Sequence, residues 1–141
     1  MKLYIIRHGE TKWNVERRLQ GASDTDLNEK GIALAKVTGE ALKEVPFFCC
    51  FTSPLKRAKE TARLVLGEKE IPVYLDERIQ EISFGTWEGR DSVLLPGNML
   101  DNFFHHTEQY EAPEGGEEIS QICARTKAFW EDITSREELQ D

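Results

Sequence analysis

Chemistry is concentrated at the end of a short apolar run near the start of this sequence. In LYIIRHGETKWN, residues 3–14, four strand-forming residues deliver Arg7, His8 and Gly9 in immediate succession. Imidazole is largely neutral near pH 7, so His8 can attack as a nucleophile, and a phosphorylated ring nitrogen passes its phosphoryl group readily to water. Gly9 lets backbone and phosphate approach closely with no side chain between them. A histidine taken alone is more often a packed or solvated one, but here an arginine precedes it, a glycine follows it, and Arg57 stands just beyond the next apolar run. Ser53 can cap a helix whose first residue is Pro54. The free N–H groups of that helix's first turn, the positive end of its dipole and Arg57 then converge near His8, an environment suited to a phosphoryl group.

These residues need elements to position them. Residues 3–6, 47–52 and 73–75 read as buried strands, the first two as continuous apolar runs of the kind that parallel strands show when covered on both faces. Between them, Ile32, Ala35, Gly39 and Leu42 give helical spacing over 28–43, and Leu55, Ala58, Ala62 and Val65 give it over 55–66. The order β-α-β-α-β predicts an α/β domain with a parallel sheet and right-handed crossovers. Ligands of such sheets bind outside the carboxyl ends of the strands, where Arg7, His8 and Ser53 stand. After residue 75 the pattern loosens through Gly85, Gly89 and Gly97 and an aromatic segment at Phe103 and Phe104. A last helix carries Ile119, Ile122, Thr126, Phe129 and Ile133. No repeat, low-complexity tract or linker divides the chain, so a single domain over 1–141 is expected. The polar tail TSREELQD is expected to fray.

Eighteen Lys and Arg against 26 Asp and Glu give a net charge of −8, which argues against nucleic acid as the main partner. A small phosphorylated ligand is decided instead by local arginines, because the whole-molecule field is screened beyond about 8 Å. Cys49, Cys50 and Cys123 suit buried reduced thiols in a cytoplasmic protein. No metal-ligand spacing is present, and the adjacent His105 and His106 point apart on a helix or strand. There is neither a leader pattern nor a run of about 18 apolar residues, so no membrane association is expected. Trp13 and Trp87 read as packing residues near the site mouth.

RHGETKWN, RLQG (residues 18–21), DTDLNEKG (24–31), TSPLKRAKETA (52–62), EISFGTWEG (81–89) and PEGGEE (113–118) resemble, in order, the signature series of the histidine phosphatase, or phosphoglycerate mutase-like, superfamily. The resemblance implies a three-layer α/β fold with a mostly parallel central sheet. It implies that His8 is the phosphate-accepting nucleophile, that Arg7 and Arg57 clamp the phosphoryl oxygens through bidentate contacts, and that Asn14 adds a further phosphate contact. It also implies that Glu81 protonates the leaving oxygen and later helps deprotonate water. A glutamate among phosphate charges is expected to hold its proton near neutral pH, as a general acid requires. Thr11, Gln20 and Gly21 are candidate pocket residues. No cofactor is implied.

The family pattern also calls for a second histidine, in a segment resembling SHGG at the end of a strand beyond the last helix. No such segment occurs, so the chain reads as a domain truncated at its C-terminal end, of doubtful activity by itself, with an exposed strand edge that a second copy could cover. The leading expectation is hydrolysis of a phosphomonoester. A phosphoglycerate mutase and an inactive phospho-ligand binding module are the alternatives. The mutase is less favoured because residues 89–113 are short and carry Arg90 as their one strong base.

Overall fold

The first two helices of this chain are closed by local side-chain caps, and small residues stand where the second meets its neighbour. In the computed structural model, which describes residues 1–140, helix α1 (Lys12–Val15) is a single turn closed by a reciprocal Thr11 and Asn14 capping box. Helix α2 (Glu29–Ala41) starts where the Asn28 side chain accepts the Gly31 N–H at 2.8 Å. Its buried residues, Gly31, Ala35 and Gly39, are all small and four apart, which lets it lie close against helix α3 (Lys56–Leu66). Strand β1 (Cys50–Thr52) precedes α3, and strand β2 (Val73–Leu75) pairs parallel to it with Cys50 opposite Val73 and Thr52 opposite Leu75. Helix α4 (Met99–His105) and helix α5 (Ile119–Ser135) complete the set.

The main apolar cluster lies in the second half of the chain, where Ile82, Phe84, Leu95, Met99 and Tyr110 are buried together and the Phe103 ring meets Phe84 and Tyr110 edge to face. Helix α5 lies over β1 through the Phe51 and Phe129 rings, 5.5 Å apart. It is fixed to the turn at Glu77–Ile79 by charge: the Arg78 guanidinium donates to Asp76 and to Asp132.

Several details depart from the sequence reading: β1 begins at Cys50 rather than at residue 47, and all three residues of β2 are exposed rather than buried. Among the described residues, 3–6 form no strand, and Ile5 is 87% exposed rather than buried. A cavity of about 1120 Å³, lined by residues 1–8 on one side and by residues 44–53 among the others, leaves this segment without a ladder partner. Helix α3 opens at Lys56 rather than Pro54, with Ser53 Oγ accepting the Leu55 N–H, and its most buried positions are Arg57, Thr61 and Val65. The tail is pinned, because Arg136 donates to Asp132 and the Gln140 side chain to the Thr134 carbonyl, although Asp141 lies outside the described residues. Finally, Cys49 and Cys50 are half-buried and Cys123 is exposed.

Candidate active site

The position of His8 is decided by the residue after it. Gly9 is buried, and its N–H donates to Thr61 Oγ1 on α3 at 3.0 Å. A β-carbon on Gly9 would stand 2.7 Å from the Gly31 carbonyl oxygen on α2, so the packing of this helix requires glycine here. Thr61 completes the grip by donating its hydroxyl hydrogen to the Arg57 carbonyl at 2.7 Å. Helices α2 and α3 thus hold the backbone beneath the imidazole.

The His8 ring is itself oriented. Its Nδ1 lies 2.7 Å from the Gly9 carbonyl oxygen. A carbonyl can only accept, so Nδ1 carries the hydrogen and Nε2 of the neutral ring keeps its lone pair. Partial burial pushes the His8 pKa below the ordinary histidine value, and the positive charges of Arg57 and Arg7 push the same way. The Gly9 carbonyl and Glu81 oppose the shift without cancelling it. The imidazole is therefore neutral at pH 7, with a nucleophilic nitrogen beside two cations.

Arg7, His8, Arg57 and Glu81 all line the cavity described above, so four of the expected site residues come together. Arg57 is 1% exposed and donates to the Gly21 and Ser23 carbonyls, each at 2.6 Å. Its Nε–H has no hydrogen-bond partner among the described residues. Burial lowers its pKa, yet it stays charged, with Glu81, Asp24 and Glu88 acting in its favour. Glu81 is exposed because it precedes the alternation of buried Ile82 and Phe84, whose side chains are held in the apolar cluster. The Ile82 N–H donates to its carboxylate at 2.9 Å.

The other expected residues lie elsewhere. Asn14 sits in α1, its carbonyl oxygen taken by the Thr11 N–H, which leaves its amide NH₂ as a donor. Thr11 is fully buried, and its hydroxyl meets Gln20 Oε1 at 2.6 Å, as does the Thr25 hydroxyl. Thr11, Gln20 and Gly21 are absent from the cavity lining and instead brace the loop that receives Arg57. His105 and His106 stand at the exposed end of α4, with His105 Nδ1 3.0 Å from Asp101. Among the described residues no group of three or more His, Cys, Asp or Glu could hold a metal ion.

Sequence reasoning missed Thr61, although it lies four residues after Arg57, and residues at that spacing share a helix face. It also missed Glu88. That carboxylate accepts the Ala22 and Phe84 N–H groups at 3.0 and 2.8 Å and the Ser23 hydroxyl at 2.5 Å.

The sequence matches the family described as "Histidine phosphatase superfamily (branch 1)" over residues 3–141. It is 33% identical over 138 residues to phosphoserine phosphatase 1 of Hydrogenobacter thermophilus, covering 96% of this chain and 65% of that protein. It is equally 33% identical, over 137 residues, to 2,3-bisphosphoglycerate-dependent phosphoglycerate mutase 2 of Gloeobacter violaceus, covering 93% and 63%. The solved structure of Bacillus stearothermophilus YhfR superposes with a TM-score of 0.84 at 40% identity, over 94% of this chain and 66% of that one. The chain thus spans less than two thirds of the length of these two curated relatives.

Proposed function

This chain belongs to branch 1 of the histidine phosphatase superfamily, and on that premise we propose that it is part of a hydrolase of small phosphomonoesters that works through a phosphohistidine at His8. The observation that carries the reading is the His8 Nδ1 to Gly9 carbonyl contact at 2.7 Å, which leaves Nε2 unprotonated among Arg7, Arg57 and Glu81. Nε2 attacks phosphorus, the ester P–O bond breaks, and the leaving oxygen takes a proton from Glu81. Water then attacks the phosphorus, gives a proton back to Glu81, and the P–N bond breaks to restore neutral His8. Arg7 and Arg57 neutralise and orient the phosphoryl oxygens.

The mutase reading draws on the Gloeobacter relative. It requires a pocket that keeps a bisphosphorylated intermediate, and the stretch from 89 to 113 supplies only Arg90 as a strong base. In the same proposal residues 1–141 form one histidine phosphatase domain, without the second histidine that the family pattern calls for. Among the described residues no helix is long and apolar enough to cross a membrane; a cytoplasmic setting, supported by three free thiols, is part of the same proposal. So is a homodimer in which a second copy covers the edge at the first apolar run, where Leu3, Ile5 and Ile6 are exposed. A monomer alone in sedimentation would remove the dimer.

Incubation with a ³²P-labelled phosphomonoester tests the reading. Label on His8 followed by free phosphate supports hydrolysis. Return of label to a phosphoglycerate supports the mutase, and binding without either supports a phospho-ligand module. Turnover unchanged in His8→Ala would overturn the role of that residue.

A further inference from the structure

One peptide group near the site is held between two opposite charges. The Gly21 carbonyl accepts from Arg57 Nη2 at 2.6 Å, and the Ala22 N–H, the other end of the same peptide unit, donates to Glu88 Oε1 at 3.0 Å. A guanidinium and a carboxylate thus lie at the negative and positive ends of a single peptide dipole, the arrangement that electrostatics favours. Ser23 repeats the pattern, its carbonyl accepting from Arg57 Nη1 at 2.6 Å and its hydroxyl donating to Glu88 Oε2 at 2.5 Å. Among the described residues no ion pair joins Glu88 to Arg57 directly, so the loop between them carries the connection.

The same carboxylate reaches the segment that bears Glu81. Glu88 Oε1 accepts the Phe84 N–H at 2.8 Å, three residues after Glu81. Gly21 has a φ of +54°, and a β-carbon there would stand 2.5 Å from Glu88 Oε1, so the carboxylate occupies the space beside its α-carbon. One side chain therefore fixes both the loop that aims Arg57 and the segment that carries Glu81.

We propose that Glu88 is a positioning residue of the phosphoryl site: its carboxylate holds the Gly21 and Ser23 carbonyls where they aim the Arg57 guanidinium at His8. The inference rests on the reading of His8 as phosphoryl acceptor, but one arm of its test does not. Arg57 acts electrostatically on the His8 ring whether or not a substrate is turned over.

The test is a double-mutant cycle of Glu88→Gln and Arg57→Ala, with Glu88→Ala as a second variant, on this chain. The His8 titration is followed by NMR and the dissociation constant of inorganic phosphate by calorimetry, each with circular dichroism to verify the fold. Glu88→Gln keeps the size of the side chain but removes the charge. It should raise the His8 pKa toward the ordinary value and weaken phosphate binding about threefold, and Glu88→Ala should weaken it about tenfold, the size of one charge-assisted hydrogen bond. In an Arg57→Ala background neither change should add anything. A His8 titration unmoved by Glu88→Gln, or effects that add fully to those of Arg57→Ala, would overturn the proposal. If phosphate fails to bind the unaltered chain, the phosphatase reading loses its support while the titration cycle still decides the role of Glu88.

Discussion

Gly9 lies so close to Gly31 that neither has room for a β-carbon, and this approach between the residue after His8 and the first turn of α2 sets where His8 can stand. A β-carbon on Gly31 would approach the Glu10 backbone, with its nitrogen 2.7 Å away. Alanine is the better helix former by about 1 kcal/mol, so propensity alone predicts that Gly31→Ala stabilises. Backbone cannot yield as a flexible side chain can, and overpacking typically costs about 1–3 kcal/mol. Gly31→Ala should therefore lower the urea midpoint. A raised midpoint would show that α2 slides freely past residue 9.

Thr61 joins Gly9 to Arg57 through one hydroxyl that accepts from the first and donates to the second. Thr61→Val keeps the shape and leaves the buried Gly9 N–H without its partner, at a cost of about 1–3 kcal/mol. Thr61→Ser keeps the hydroxyl and should fall well short of that loss. Denaturant unfolding of the two variants side by side checks the difference.

His8 predicts a pH dependence with a definite sign. Its folded pKa is lowered, chiefly by burial, so the unfolded chain takes up a proton first as pH falls through the ordinary histidine value of about 6.5. Stability contributed by the neutral ring is fully present above that value and is lost progressively below it. The acid limb of phosphohistidine formation should likewise lie below pH 6.5, since Nε2 must be unprotonated. A limb at or above the free-histidine value, read from rates of label transfer against pH, would contradict both.

Asp132 ties α5 to the turn before Glu81. Its carboxyl is held down at about 2 by hydrogen bonds from Arg136 and Arg78. A depressed carboxylate contributes stability above its unfolded value, near 3.9, that is lost as pH falls toward the folded one. Arg78→Ala removes one of the two partners, so the Asp132 pKa should rise in a carboxyl NMR titration while His8 keeps its own. Movement of His8 with it would mean that α5 and the site are coupled.

Much of this protein could be read before folding. Local chemistry determined the helices, because Asn28 caps α2 wherever it occurs and the 3.6-residue period of α5 is a property of the chain. The motif series likewise placed Arg7, His8, Arg57 and Glu81 at element ends, and these four do line one cavity. What folding alone decided lies in contacts between segments distant in sequence. A strand is a pairing and not a segment, so LYII, apolar as it is, stays outside the sheet when a cavity stands where its partner would be. The need for glycine at residue 9 comes from residue 31, and the aim of Arg57 comes from the Gly21–Ala22 peptide held by Glu88. Sequence spacing measures distance along the chain, and hydrogen bonds of this kind depend only on distance through space.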